Sequence, residues 1–96
     1  DMISTGGTIE KALQALLQAG CSSSGIKVLA SHGLLVGSAA ERLGDLGIER
    51  LYISDSVPAP KQFPAPLQVV SIAPLLAEAI HRLNENESMA KIIAPA

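Results

Sequence analysis

The sequence predicts an α/β protein built on a parallel sheet, and three observations support this fold class. Short apolar segments alternate with amphipathic ones, glycines stop the amphipathic segments, and a proline-rich stretch separates the last pair. Alternation of strand and helix is typical of a parallel sheet covered by helices. The 96 residues, 48% of them hydrophobic, suffice for one small globular unit. We therefore treat residues 1–96 as one unit.

The first repeat is a helix followed by a strand. Apolar residues recur at helical spacing from Ile9 to Leu17, with Leu13 and Leu16 on the same face, and Gly20 follows as a stop signal. The serine-rich loop 21–25 then leads into an apolar strand, which is predicted at residues 26–30.

The second repeat begins at a capping box. Ser38 is placed to bond the amide three residues on, and Glu41 to reach back, so a short helix is predicted from here toward Leu46. Gly47 stops it, and residues 50–54 read as the second strand.

The third repeat follows a surface connection, residues 58–66, which holds four of the six prolines. Residues 67–72 are predicted as the third strand, and Pro74 suits the first position of a helix. Glu78 and Arg82 would pair on the outer face of this helix. Its buried face is predicted to consist of Leu75, Leu76, Ala79, Ile80 and Leu83.

The most distinctive segment is the loop Ser4–Thr8, which precedes the first helix. It offers consecutive backbone N–H groups, three hydroxyls and a helix N-terminus, a combination that favours phosphate. Asp1 would lie beside the group that carries the phosphate and suits sugar hydroxyls, which indicates a phosphosugar. A plainer interpretation is a glycine-rich turn with Thr8 as the helix cap. The candidate substrate-binding residues are Asp1, Ser4, Thr5, Gly6, Gly7 and Thr8.

Composition excludes several classes of function. A formal charge of −2 gives no basic stripe for nucleic acid, and no apolar run approaches the roughly 18 residues of a membrane span. One cysteine, Cys21, fits a reducing, cytoplasmic compartment. No His, Cys and carboxylate cluster has metal-ligand spacing.

His32 follows the first strand, where a structural hydrogen bond to a neighbouring loop is favoured over a role in the site.

The order of several motifs resembles a known family. Asp1 with the loop Ser4–Thr8 is followed by Ala30–Leu34, Ser54–Pro58 and Ala73–Ile80, and the series closes with Asn86-Glu87-Ser88-Met89. This order is similar to the C-terminal part of ribose-phosphate diphosphokinase (phosphoribosyl-diphosphate synthetase), over essentially the whole chain. The loop alone is shared with many phosphoribosyltransferases, whereas the downstream series separates the synthetase from them.

The resemblance implies a partial three-layer α/β/α parallel sheet of the type I phosphoribosyltransferase-like fold, lacking its preceding strands. Residues 1–96 would then be a C-terminal fragment of such a domain. The intact parent would move diphosphate from ATP to ribose 5-phosphate with Mg²⁺, which no site visible in the sequence ligates, and would form homo-oligomers.

By the same resemblance, the loop would hold the 5-phosphate, and Asp1 would face the ribose hydroxyls. The ATP site and the basic catalytic loop would lie upstream, so no residue of this chain is assigned as the catalyst and the fragment alone is expected to be inactive. Two alternatives stay open: a type I phosphoribosyltransferase, and a catalytically inactive regulatory paralogue of the synthetase.

Overall fold

A computed structural model describes residues 1–93 and shows an α/β fold with parallel strand pairing, as the sequence predicts. The elements in chain order are β1 (Met2–Ile3), α1 (Gly7–Gln18), a 3₁₀ turn (Ser23–Gly25), β2 (Lys27–Ala30), β3 (His32–Gly33), α2 (Ala39–Asp45), β4 (Arg50–Ser54), β5 (Leu67–Val70), α3 (Ala73–Asn84) and α4 (Ala90–Ile93).

The strand pairing brings the carboxyl ends of the strands to one edge. β4 lies between β2 and β5, and Ala30 is opposite Ile53 while Ser54 is opposite Val70. β1 pairs with β3, with Ile3 opposite Gly33. Since β3 follows β2 after a single residue, the loop after β1 opens at the edge where β2 and β4 also end.

The core lies between the sheet and the first two helices. β4 contributes Leu51 and Ile53, and α2 contributes Leu43, all of which are at most 1% exposed. β3 approaches β4 closely because Gly33 has no side chain: a Cβ at Gly33 would lie 2.7 Å from Cγ2 of Ile53. The buried hydrophobic cluster is Ile3, Leu13, Val28, Leu43, Ile48, Leu51 and Ile53.

The structure refines several sequence predictions at element ends. The strand predicted at 26–30 begins at Lys27, and the strand predicted at 67–72 ends at Val70, because Ile72 already caps α3. The strand 50–54 and the irregular connection 58–66 are confirmed, and α1 ends just before Gly20, which has a positive φ. The two-residue strands β1 and β3 were not predicted, since neither is long enough to show a pattern.

The predicted capping box at Ser38 is wrong. Ser38 does precede α2, but its side chain makes no capping hydrogen bond, and its backbone φ of −88° and ψ of 14° are not the extended conformation of a capping residue. The turn into α2 is instead set by the backbone bond from the Ala39 N–H to the carbonyl of Val36.

The predicted burial of α3 is also wrong. Leu75, Leu76, Ile80 and Leu83 lie on one side of this helix, as the spacing indicates, but they are 52–67% exposed. On α1 only Leu13 is fully buried, while Leu16 and Leu17 stay accessible. Periodicity identifies the apolar face of a helix, whereas burial requires a surface opposite that face, and residues 1–93 do not supply one for α3.

The molecule has an open shape and exposes much apolar surface. The radius of gyration is 16.4 Å, against about 12.5 Å for a compact domain of this length. Leu29 and Val70 on the sheet are more than half exposed, like the face of α3. Across residues 1–93, no helix is both long enough and apolar enough to traverse a bilayer.

We expect the isolated 96-residue chain to associate or to be poorly folded, because exposed apolar faces and strand edges recruit other chains. Light scattering should give a mass above that of the monomer, and the double variant Leu76→Lys, Ile80→Lys should lower it. The matched control Gln14→Lys, Gln18→Lys adds the same two charges at exposed positions of α1 and should leave the mass unchanged. A sharp monomer peak with a cooperative melt would contradict this expectation.

Candidate phosphate-binding site

The loop Ser4–Thr8 is fixed at the edge of the sheet by backbone hydrogen bonds. The Leu34 N–H donates to the carbonyl of Ile3 at 2.9 Å, and the Val36 N–H donates to the carbonyl of Ser4 at 2.9 Å. The segment after β3 therefore holds both β1 and the first residue of the loop.

Gly6 makes the turn from the loop into α1. It is the residue before the helix and has a left-handed backbone with φ of 83°, which glycine adopts without steric cost. It is buried against α2, and a Cβ at this position would lie 3.6 Å from Cα of Ala39. The interpretation with Thr8 as the helix cap is wrong, since α1 begins at Gly7 and Thr8 is its second residue.

The start of α1 presents donors at this edge. The first helical hydrogen bond runs from the Glu10 N–H to the carbonyl of Gly6 at 2.9 Å, so the N–H groups of Gly7, Thr8 and Ile9 precede the intrahelical ladder. Thr5 and Thr8 are exposed, and Ser4 is half-buried. Backbone amides and hydroxyls in this arrangement can donate to an oxyanion, and the positive end of the helix dipole also favours an anion there.

Arg42 on α2 is a neighbour of the loop that sequence reasoning missed. The position that a Cβ would take at Gly7 lies 2.8 Å from its Nη1 atom. Its Nε atom lies 3.3 Å from Oε2 of Glu10, in the first turn of α1. The sequence contains no signal for this contact, because the contact depends on the packing of α2 against α1.

Asp1 lies beside a cleft of about 390 Å³ at the same edge of the sheet. Its backbone carbonyl accepts a hydrogen bond from the His32 N–H at 2.9 Å, and its side chain is exposed. Ser31, Ser54 and Ile72 line the same cleft. Asp1 precedes the two residues of β1 and the loop Ser4–Thr8 follows them, and none of the loop residues lines this cleft.

His32 has a structural partner, as the sequence analysis favours. Its Nδ1 atom lies 2.7 Å from Oγ of Ser56, in the loop after β4. Ser54 donates to the carbonyl of Ser31 at 2.5 Å and accepts from the Ser56 N–H at 3.1 Å. These bonds tie the carboxyl ends of β2 and β4 together and keep the edge of the sheet in place.

Asp55 connects this edge to α3. The Ser71 hydroxyl and the Ile72 N–H donate to its carboxylate and lower the pKa of Asp55 below its usual value. Because the pKa is lowered in the folded state, the hydrogen bonds to the Asp55 carboxylate stabilise the fold fully above the ordinary pKa of an aspartate. This stabilisation is lost as the pH falls through the lowered pKa. Asp55 therefore acts as an anchor for the start of α3.

The part of the chain that the structure describes holds no cluster of metal-ligating side chains. Within residues 1–93 there is no group of three His, Cys, Asp or Glu side chains that could hold a metal ion. Asp1 and Asp55 each lie near the edge, but Asp55 is already engaged by Ser71 and Ile72. We therefore derive no chemical step through a metal bound by this chain.

Comparison with known proteins gives a consistent family. The model of the phosphoribosyl synthetase-associated domain matches residues 1–94. The ribose-phosphate pyrophosphokinase of Bifidobacterium longum is 44% identical over 94 residues, which are 96% of this chain and 27% of that protein. The ribose-phosphate pyrophosphokinase of Caldanaerobacter subterraneus is 41% identical over 93 residues, covering 96% of this chain and 29% of that protein.

Solved structures agree with this result. The crystal structure of phosphoribosylpyrophosphate synthetase from Mycobacterium smegmatis superposes with a TM-score of 0.81 at 39% identity, covering 90% of this chain and 28% of that one. This chain thus spans less than a third of the length of these three relatives. The resemblance and the fold class that the sequence predicts are both confirmed. The chain belongs to the phosphoribosyl synthetase-associated domain family.

Proposed function

We propose that this chain is part of a ribose-phosphate pyrophosphokinase, which transfers diphosphate from ATP to the 1-hydroxyl of ribose 5-phosphate, and that the loop Ser4–Thr8 binds the 5-phosphate. The single observation that carries the proposal is the family match over residues 1–94. The helix N-terminus behind the loop and the left-handed Gly6 support it, because they give the loop the shape and the donors that phosphate requires.

In this proposal, the residues of the chain bind and orient the acceptor. The N–H groups at the start of α1 and the hydroxyls of Thr5 and Thr8 hold the phosphate, and Asp1 accepts hydrogen bonds from ribose hydroxyls. Diphosphoryl transfer depends mainly on positioning and on neutralisation of charge, so a fixed phosphate aims the 1-hydroxyl at ATP. Mg²⁺, which such a reaction uses, would be held through the substrates and by the rest of the parent.

The remaining partners follow from the same proposal. ATP binds through parts of the parent outside residues 1–96, and no catalytic residue is assigned within them. The unpartnered apolar faces favour a homo-oligomer for the intact enzyme. The exposed thiol of Cys21 favours a reducing compartment, and a cytoplasmic location is part of the proposal.

The intact parent enzyme should release AMP only when ATP, Mg²⁺ and ribose 5-phosphate are all present, and the isolated 96-residue chain should release none. A coupled AMP assay on both proteins tests this expectation. A parent that consumed phosphoribosyl diphosphate instead would be a phosphoribosyltransferase, and a parent without either activity would be the inactive paralogue. AMP release by the purified 96-residue chain would show that the catalytic groups lie within it.

Thr8→Ala in the intact parent is expected to weaken ribose 5-phosphate binding roughly tenfold to a hundredfold. The variant removes one hydroxyl donor to a charged acceptor, a loss of about 1.5–3 kcal/mol. Thr8 is exposed, so the fold should not change. Calorimetric titration checks the affinity, and Thr8→Ser, which keeps the hydroxyl, serves as the control. Equal affinities for Thr8→Ala and Thr8→Ser would show that this hydroxyl does not bind the phosphate.

A further inference from the structure

The packing of α2 against the loop Ser4–Thr8, which is called the phosphate loop from here on, places Arg42 beside that loop. Gly6 lies against Ala39 and Leu43 of this helix, on either side of Arg42 in the sequence. The guanidinium pairs with Glu10 through Nε, and its Nη1 atom lies 2.8 Å from the position that a Cβ would take at Gly7. The Arg42 side chain is 39% exposed, so it is partly accessible to solvent.

The loop itself contains no cation. Its donors are backbone amides and hydroxyls, no lysine directly follows the glycines, and Lys11 lies four residues beyond Gly7 in α1. Two other basic residues, Lys27 and Arg50, begin β2 and β4 and therefore lie at the opposite end of the sheet. A phosphate dianion bound by neutral donors is attracted further by a positive charge within a few ångströms, where screening by salt is incomplete.

We propose that Arg42 is a positioning and charge-supplying residue for the phosphate loop, acting on a phosphomonoester bound there. This inference rests on the proposed function. Arg42 lies beside Gly7 at the start of α1, so its charge adds to that of the helix N-terminus. Glu10 fixes the orientation of the guanidinium and keeps it next to Gly7.

Calorimetric titration of the intact parent with ribose 5-phosphate tests the inference in three variants. Arg42→Gln should weaken binding about tenfold at low ionic strength, and Arg42→Lys, which keeps the charge, should stay within about threefold of the parent. Arg50→Gln removes the same charge at the far end of the sheet and should bind like the parent. The difference between the parent and Arg42→Gln should shrink as salt is added.

Three outcomes would overturn the inference. Arg42→Gln could bind like the parent, Arg42→Lys could lose as much as Arg42→Gln, or the loss could be the same at every salt concentration, which would indicate a role in packing alone. If Arg42→Gln does not fold, Arg42→Met, which keeps the aliphatic stem, replaces it with the same expectations. A parent that does not bind ribose 5-phosphate at all would overturn the proposed function instead, so the two failures are distinguishable.

Discussion

Gly7→Val in the intact parent is expected to abolish detectable binding of ribose 5-phosphate while leaving ATP binding largely in place. A Cβ at Gly7 would lie 2.8 Å from Nη1 of Arg42, and two further methyl groups would crowd the amides that face the phosphate. The expected effect is steric and does not come from backbone strain, because the left-handed residue of this loop is Gly6 and not Gly7. The guanidinium is the flexible end of a long side chain and can swing aside, so the fold should survive.

Calorimetry with ribose 5-phosphate and, separately, with an ATP analogue measures the effect of Gly7→Val, and circular dichroism confirms folding. Gly25→Val is the matched control. No atom lies within 4 Å of a Cβ at Gly25, and its φ is not in the left-handed region, so this variant should bind like the parent. A folded Gly7→Val protein with normal affinity would place the phosphate site elsewhere and end the proposal for this loop.

Gly33→Val is expected to cause the largest loss of stability among the glycine variants. A Cβ at Gly33 would lie 2.7 Å from Cγ2 and 2.9 Å from Cδ1 of Ile53, which is itself 1% exposed. Overpacking of a closed core costs typically 1–3 kcal/mol, and we expect about 3 kcal/mol because neither β3 nor β4 can move without breaking the pairing of β1 or β5.

Chemical denaturation of the intact parent, followed by circular dichroism, measures this loss. Gly33→Ala should fall between the parent and Gly33→Val, and Gly25→Val should again be neutral. An unchanged midpoint for Gly33→Val would mean that β3 does not lie against Ile53. Because β3 pairs with β1, we also expect Gly33→Val to weaken ribose 5-phosphate binding.

Much of the fold was predictable from local patterns. The apolar residues Leu51, Tyr52 and Ile53, between Gly47 and the proline-rich stretch, mark β4 because β-branched and aromatic residues suit a strand. Gly20 marks the end of α1 for a local reason, since its φ of 99° favours glycine. The loop Ser4–Thr8 was also predictable as a candidate phosphate site, because its glycines and hydroxyls are adjacent in the chain.

Features that join distant segments were decided by the tertiary structure alone. The pairing of β1 with β3, the contact of Arg42 with Gly7 and the bond between His32 and Ser56 each link residues that lie more than 20 positions apart. None of these contacts leaves a periodic signal in the sequence.

The burial of helix faces shows the same division. The spacing of Leu76, Ile80 and Leu83 determines that α3 has an apolar face, because side chains three and four positions apart share one side of a helix. It does not determine what covers that face. The tertiary structure shows the face exposed within residues 1–93, since burial depends on a second surface and not on the helix itself.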